Sequence, residues 1–246
     1  MTTAEPSSPC DQLEIVVLAG GEGTRLRSVT GPLPKALVEV AGRPMLDWKL
    51  DQLAQAGATR LHLLVGSGQE QIAAHLARRP PPLTVTTHQD GPVLKGTGGA
   101  LLACRAHLPD RFVITYGDSL LDEPLLPLWR QFLDSGDAAM LAVTRQFDSD
   151  HTGNVEIASR RVVAYGKNPS NAALTWLDYG YLAMDKQALH GYTVGERLDL
   201  GVIISDLATD GRLGAYEVHS EFWEVGTPES LIRVSQHLSQ AGQSDS

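Results

Sequence analysis

Apolar residues fall into two alternating kinds of segment over the first 144 residues. Short continuous apolar runs bounded by glycine or proline are typical of buried strands. Such runs predict strands at residues 13–18, 61–65, 84–88, 112–116 and 138–143. Segments with apolar residues three or four positions apart predict helices at 44–57, 69–78, 100–108 and 124–133. In the second helix, Ile72, Ala73 and Leu76 are expected to face inward. The alternation predicts an α/β fold, with a doubly wound, mostly parallel sheet covered by helices on both faces.

After residue 144 the apolar runs become shorter. They predict short antiparallel strands at 155–157, 161–165 and 176–184, a helix at 202–209, strands at 213–218 and 222–225, and a closing helix at 228–238. Thr227 and Pro228 suit the N-cap and first turn of that last helix. Because no repeat or long linker separates the two parts, the second is expected to add a small antiparallel β elaboration to a single domain, residues 12–238. The polar stretches 1–11 and 239–246 are expected to be loose tails.

Composition narrows the function classes. The chain has 246 residues, 42% of them hydrophobic, which suffices for one substantial core. Its 20 basic and 29 acidic residues give a net charge of −9, which disfavours nucleic acid and anionic membranes as partners. Cys10 and Cys104 form neither a disulfide framework nor a zinc spacing. With no signal-peptide pattern and no apolar run of about 18 residues, a cytoplasmic protein is expected.

The stretch from Leu18 to Lys35 carries the strongest candidate chemistry. It follows a predicted strand, and its glycines would let backbone N–H groups approach an anion closely. The glycines are Gly20, Gly21 and Gly23, and the charged residues are Arg25, Arg27 and Lys35 against Glu22. This combination suits a polyphosphate, and the alternative is a surface turn. A P-loop is excluded because no Lys-Ser or Lys-Thr follows the glycines. A dinucleotide fingerprint is excluded because Leu26 stands in place of its third glycine.

Other candidate residues follow later strands, whose carboxyl ends are where ligands collect in open parallel sheets. Gly96–Gly99 opens a helix and either offers N–H groups to a base or sugar or forms a plain helix-starting turn. Asp118 ends the fourth strand and could hold Mg²⁺ over a triphosphate or cap a turn. Glu224 is the second carboxylate candidate, and its alternative role is a charge on the surface of a strand.

A strand around Asp178 mixes acidic and aromatic residues. It could bind a sugar ring and its hydroxyls, although Trp176 and Tyr181 could equally pack in the core. Lys167 is a candidate phosphate contact, or simply a solvated lysine.

Taken in chain order, these motifs resemble those of the sugar-nucleotide pyrophosphorylases, the sugar-1-phosphate nucleotidyltransferase family, over residues 13–238. The matching segments are Leu18-Ala-Gly-Gly-Glu-Gly-Thr-Arg25, Pro34-Lys35, Val38-Glu-Val-Ala-Gly-Arg-Pro44, Gly96-Thr-Gly-Gly-Ala100, Gly117-Asp118, Tyr179-Gly-Tyr181 and Gly226-Thr-Pro-Glu229. Residues 26–29 and 96–99 are most similar to heptose-1-phosphate guanylyltransferase-like members, which favours GTP as the nucleotide.

The resemblance implies a Rossmann-like nucleotidyltransferase with a nucleotide-binding half, 12–144, and a sugar-binding half, 145–238. It implies that Arg25, Lys35 and Asp118 are catalytic and that Asp118 and Glu224 bind Mg²⁺. The implied nucleotide-binding residues are Leu18, Ala19, Gly20, Gly21, Gly23, Thr24, Arg25, Gly96, Thr97 and Gly98. The implied sugar-binding residues are Lys167, Asp178, Tyr179 and Gly180. The substrates would be a nucleoside triphosphate and a sugar 1-phosphate, giving an NDP-sugar and pyrophosphate, and a homo-oligomer is left open.

The chain departs from the family pattern at three positions. Glu224 stands where the family usually has Asp, Gly166 stands where its sugar-binding Glu-Lys-Pro has Glu, and Ser119 replaces Thr or Asn. Two alternatives therefore stay open: transfer to another phosphate, such as a cyclitol phosphate or phosphocholine, and a non-catalytic homologue that binds nucleotide or nucleotide sugar.

Overall fold

A computed structural model describes residues 13–21, 26, 31, 33–66, 68–89, 94–147, 151–166 and 174–244 of the chain. The strands in these ranges are β1 Glu14–Leu18, β2 Glu39–Val40, β3 Arg43–Pro44, β4 Arg60–Val65, β5 Thr84–Gln89, β6 Arg111–Tyr116, β7 Ser119–Leu121, β8 Ala139–Thr144, β9 Val155–Ala158, β10 Arg161–Tyr165, β11 Leu177–Asp185, β12 Leu213–Val218 and β13 Phe222–Glu224. The α-helices are α1 Met45–Gln55, α2 Gln69–Arg78, α3 Gly96–Cys104, α4 Leu125–Ser135, α5 Leu200–Thr209 and α6 Pro228–Ser244. Short 3₁₀ helices span Lys35–Leu37, Arg105–His107 and Lys186–Leu189.

One nine-stranded sheet organises the molecule, in the order β5-β4-β1-β6-β11-β8-β12-β10-β9. β5, β4, β1 and β6 are parallel neighbours, and β8 and β12 form a second parallel pair. Only β11 and β10 run against the other strands of this sheet. The predicted mostly parallel α/β sheet with a small antiparallel part is therefore confirmed.

The strand β11 differs from its prediction in place. Residues 176–184 were expected to form a strand of the elaboration, whereas β11, which also has nine residues, lies at the centre of the sheet between β6 and β8. Its residues from Tyr179 to Met184 are all buried, because helices cover both faces of the sheet there. A strand buried on both sides carries a nearly continuous apolar run, which is the pattern seen in the sequence.

Helices divide the core into layers. α3 and α5 pack on one face of the sheet, and α1, α2 and α4 pack on the other. α6 covers a third, smaller cluster that includes Met45, Leu120 and Val225. No helix within the described residues is both long enough and apolar enough to span a membrane.

Three predicted helix features need correction. α3 ends at Cys104 and is followed by a 3₁₀ helix, short of the predicted end at residue 108, although Gly96–Gly99 open it as expected. α6 continues to Ser244, so most of the predicted C-terminal tail is helical. On α2, Ile72 is buried and Leu76 is half-buried but Ala73 is exposed, because it lies about 100° around the helix from Ile72.

Candidate functional site

The glycine loop starts at the carboxyl end of β1, between two neighbouring strands. The Ala19 N–H donates to the carbonyl of Leu64 (2.9 Å), and the Gly117 N–H donates to the carbonyl of Leu18 (3.0 Å). The Leu18 side chain is buried in the core. The start of the loop is therefore fixed by the sheet, and the Leu18 carbonyl is already engaged.

Gly66, directly after β4, allows the next part of the loop to pack closely. A Cβ on Gly66 would lie 2.5 Å from the carbonyl oxygen of Gly20, so a larger residue would displace the loop. Gly21 has open space around it. Gly66 is absent from the residues predicted above, although a glycine directly after a buried strand is a signal of close backbone approach.

A lysine and two carboxylates meet at the carboxyl end of β6. Lys35 Nζ lies 2.6 Å from Asp118 Oδ2 and 4.0 Å from Glu224 Oε1. The carboxylates approach each other because β7 pairs with β13 in a small ribbon, with Ser119 opposite Glu224. The Val225 N–H also donates to the Asp118 carbonyl at 2.8 Å. The structure therefore brings together three residues that lie far apart in the sequence.

This carboxylate pair fits Mg²⁺. The Lys35 ammonium lies 2.6 Å from Asp118 and 4.0 Å from Glu224, so both carboxylates face one positive charge. Within the described ranges no cluster of three or more His, Cys, Asp or Glu residues could hold a metal. Two carboxylates are nevertheless sufficient, because Mg²⁺ usually takes one or two and completes its shell with phosphate oxygens and water. Asp118 and Glu224 would be the protein ligands.

A cavity of about 690 Å³ opens beside this cluster. Its walls carry acids and hydroxyl groups as well as apolar surface. Lining residues with polar side chains are Thr97, Tyr116, Asp118, Ser119, His151, Asn154, Tyr165, Asp178, Asp199, Ser205, Asp206 and Glu224. Burial, followed by the charges of Asp178 and Asp199, raises the pKa of the Tyr116 phenol, which stays a neutral donor. The cavity can therefore hold a polar molecule next to the carboxylate pair.

Asp178 is held rigidly in the cavity wall. Its carboxylate accepts hydrogen bonds from the Gly180 N–H (2.8 Å) and the Tyr165 hydroxyl (3.0 Å), and the Asp178 N–H donates to Asn154 Oδ1 (2.9 Å). Gly180 has a φ of +92°, which a residue with a side chain rarely adopts. Asp178 and Gly180, which were predicted to bind the sugar, line the cavity, and so do Asn154 and Tyr165, which were not among the predicted residues.

Tyr179 was also predicted to bind the sugar, but its side chain does not line the cavity. Its side chain is fully buried and packs with Tyr181 on the opposite face of β11, because alternate residues of a strand point to opposite faces. Of the two open roles considered for Tyr181, the structure supports core packing. Trp176 is half-buried, with the Arg145 guanidinium 4.2 Å from its ring centroid.

The glycines of α3 serve a different contact from the one predicted. A Cβ on Gly96 would lie 2.6 Å from the carbonyl oxygen of Leu198, and one on Gly98 would lie 3.1 Å from the backbone carbon of Asp199. The segment before α5 therefore covers the glycine surface that was expected to face a nucleoside. Thr97 does line the cavity, and its Oγ1 accepts a hydrogen bond from the Leu200 N–H at 2.8 Å.

Four predicted site residues, Gly23, Thr24, Arg25 and Lys167, lie outside the described residues. Conversely, two described residues near the carboxylates were not predicted. His151 Nε2 lies 3.8 Å from Glu224 Oε2, and Lys49 donates from Nζ to the carbonyl of Ser119 at 2.9 Å. Lys49 could have been noticed in the sequence, because a lysine among the apolar positions of a predicted helix indicates a buried charge with a specific partner.

The site thus consists of a lysine and two carboxylates beside a polar cavity, with Asp118 following the parallel strand β6. The chain belongs to the MobA-like NTP transferase domain family, whose model matches residues 15–174. The predicted class of enzyme is thereby confirmed.

Individual relatives agree with this assignment. The chain is 29% identical over 247 residues, 92% of its own length and 96% of the relative, to the UTP--glucose-1-phosphate uridylyltransferase AglF of Haloferax volcanii. It is 34% identical over 194 residues to the bifunctional protein GlmU of Xanthobacter autotrophicus, covering 76% of this chain and 42% of GlmU. The inositol-1-phosphate CTP transferase from T. maritima shares the fold, with a TM-score of 0.78 at 20% identity over 92% of this chain and 96% of that one.

Proposed function

We propose that this protein transfers a nucleotidyl group from a nucleoside triphosphate to a sugar 1-phosphate, using Mg²⁺ and releasing pyrophosphate. The observation that carries the proposal is the contact of Lys35 with both Asp118 and Glu224 at the rim of the cavity. The name of the Haloferax volcanii relative, which spans nearly the same length, supports a sugar 1-phosphate as acceptor.

The reaction joins an oxygen of the acceptor phosphate to the α-phosphorus of the nucleotide and breaks the bond from that phosphorus to pyrophosphate. No protein base is required, because the second pKa of a phosphate monoester is about 6 and the acceptor is mostly dianionic at neutral pH. The tasks left to the protein are alignment and charge neutralisation.

The described residues can divide these tasks. Asp118 and Glu224 would hold Mg²⁺, which would supply neutralising charge to the phosphates. The Lys35 ammonium has three donors, and only part of this capacity is used by Asp118, so it can also bind a phosphate oxygen. Asp178 and Asn154 line the cavity and would bind hydroxyl groups of the acceptor. The predicted role of Arg25 in binding the triphosphate remains a proposal.

A matrix of four nucleoside triphosphates against several acceptors, with pyrophosphate release as the readout, tests the proposal. GTP is the nucleotide favoured by the sequence resemblance, and UTP is the one in the name of the Haloferax volcanii relative. Sugar 1-phosphates should be the preferred acceptors, and preference for inositol 1-phosphate or phosphocholine would instead support the alternative acceptors.

Lys35→Ala and Glu224→Ala are the test variants, since each removes one member of the charged cluster. Each should lower turnover by about 10²-fold or more if these charges stabilise the transition state. Folded wild-type protein that releases no pyrophosphate with any pair would contradict the proposal. If calorimetry then showed nucleotide binding, the non-catalytic alternative would replace it.

A further inference from the structure

Lys49 is a fully buried charged residue on α1, with 0% of its surface exposed. Its neighbours on the inward face of the helix are apolar, namely Leu46, Leu50 and Leu53. The ammonium lies 5.7 Å from the centroid of the Tyr181 ring. A buried charge is costly unless it is well compensated, so an apolar residue would serve packing alone better than lysine does.

The partner of Lys49 is part of the candidate active site. Lys49 Nζ donates a hydrogen bond of 2.9 Å to the carbonyl of Ser119. Ser119 directly follows Asp118 and is the register partner of Glu224 in the β7–β13 ribbon. The backbone at Asp118 and Ser119 is therefore held from two sides. The Val225 N–H binds the Asp118 carbonyl from the ribbon, and Lys49 binds the Ser119 carbonyl from α1.

The charge of Lys49 also lies near that of Asp118. Burial lowers the pKa of Lys49 to about 7, and the Asp118 carboxylate acts in the opposite direction by favouring the ammonium form. Asp118 is thus coupled to a cation beneath the ribbon as well as to Lys35 on the cavity side.

We propose that Lys49 is a positioning residue that holds Asp118 and Glu224 in the geometry needed to bind a divalent cation. This role rests on the proposed function, in which these two carboxylates bind Mg²⁺. Lys49 acts through the Ser119 carbonyl and touches neither substrate nor metal. It gives the carboxylate pair a support from a different layer of the fold.

The same helix provides a matched control. One turn further along α1, Gln52 Nε2 donates to the carbonyl of Leu121 at 2.7 Å, at the other end of β7. Lys49 and Gln52 therefore anchor the same strand to the same helix. Only Lys49 carries a charge and bonds to the residue next to Asp118. Replacing Gln52 therefore measures the general loss of support for β7, and replacing Lys49 measures in addition the loss of carboxylate positioning.

The experiment compares the full-length wild type, Lys49→Met and Gln52→Met. Mn²⁺ binding is measured by electron paramagnetic resonance, first with the metal alone and then with GTP or UTP. Turnover and thermal stability are measured on the same preparations. Lys49→Met should weaken Mn²⁺ binding by about 10-fold or more, as loss of groups that orient metal ligands does. It should lower kcat by about 10²-fold, as misplacement of a catalytic group does.

The two variants should differ in the direction of their effects. Lys49→Met should be at least as thermally stable as the wild type, because it removes a buried charge. Gln52→Met should be less stable but should bind Mn²⁺ as the wild type does. Lys49→Leu, which also lacks both the charge and the hydrogen-bond donor, replaces Lys49→Met if that protein does not fold, and the same losses of Mn²⁺ binding and kcat are expected of it.

Three outcomes would overturn the proposal: wild-type Mn²⁺ affinity in Lys49→Met, equal losses in both variants, or no Mn²⁺ binding by the wild type under any condition. If Mn²⁺ binding falls in Lys49→Met but no nucleotide–acceptor pair gives pyrophosphate, the positioning role stands while the proposed reaction fails.

Discussion

Replacing Lys49 with methionine should remove one specific pH dependence of the folded state. The pKa of a lysine side chain is ordinarily 10.5, and that of Lys49 is lowered to about 7 in the folded protein, chiefly because burial disfavours the ammonium. Between these two values the unfolded chain holds a proton that the folded chain has released. The free energy of unfolding of the wild type should therefore rise with pH across this window and fall as pH drops towards 7.

The magnitude follows from the size of the shift. A difference of one pKa unit corresponds to about 1.4 kcal/mol, so a shift from 10.5 to about 7 corresponds to about 5 kcal/mol over the whole window. Between about pH 7.5 and about pH 9, the wild type should gain about 2 kcal/mol relative to Lys49→Met. Other titrating groups are common to both proteins and cancel in this difference.

Urea unfolding of both proteins at several pH values in this range would measure the effect. The quantity of interest is the wild-type free energy of unfolding minus that of Lys49→Met, plotted against pH. Gln52→Met is again the control, because it removes a neutral group and should show no such slope. A difference between the wild type and Lys49→Met that is constant with pH would refute the reasoning, since Lys49 would then titrate alike in both states.

Other substitutions test the remaining parts of the site and core. Asp178→Ala should raise the KM for the acceptor more than the KM for the nucleotide in steady-state assays. It removes a proposed acceptor ligand and also frees Tyr165, another residue of the cavity wall; equal changes in both KM values would contradict this assignment. Gly66→Ala should lower the free energy of unfolding in urea by about 1–3 kcal/mol and raise the KM for the nucleotide, because the added Cβ collides with Gly20. Thr115→Val should raise the melting temperature, since the buried Thr115 hydroxyl has no hydrogen-bond partner within the described structure and desolvating it costs about 1–3 kcal/mol; a lower melting temperature would point to a hidden partner.

The sequence was sufficient for most of the fold because its strands and helices have distinct apolar periods. The sequence did not predict the position of β11. Its apolar run is typical of a central strand, but it comes after residue 144, where the shorter runs suggested an added antiparallel part. Strand order depends on long-range pairing, here Leu182 with Ile114 and Leu141, and local periodicity contains no information about such partners.

The candidate site was predictable where the chemistry is local. Asp118 follows directly from its place at the end of a strand, and Asp178 and Gly180 from their motif. Tyr179 could not be separated from its neighbours without knowing which face of β11 meets the cavity. Lys49 was missed because its role depends on a contact 70 positions away in the sequence.

The antiparallel insertion of β11 limits how this protein could be divided or recombined. Cutting the chain near residue 145 would leave β6 and β8, both in the first part, without the strand that joins them across the sheet. The first part alone would expose one edge of β6 and both edges of β8, since β12 also lies in the second part, and unpaired strand edges favour aggregation. Exchange of acceptor specificity between relatives should therefore succeed by replacing loops around the cavity, whereas exchange of whole halves would have to rebuild the middle of the sheet.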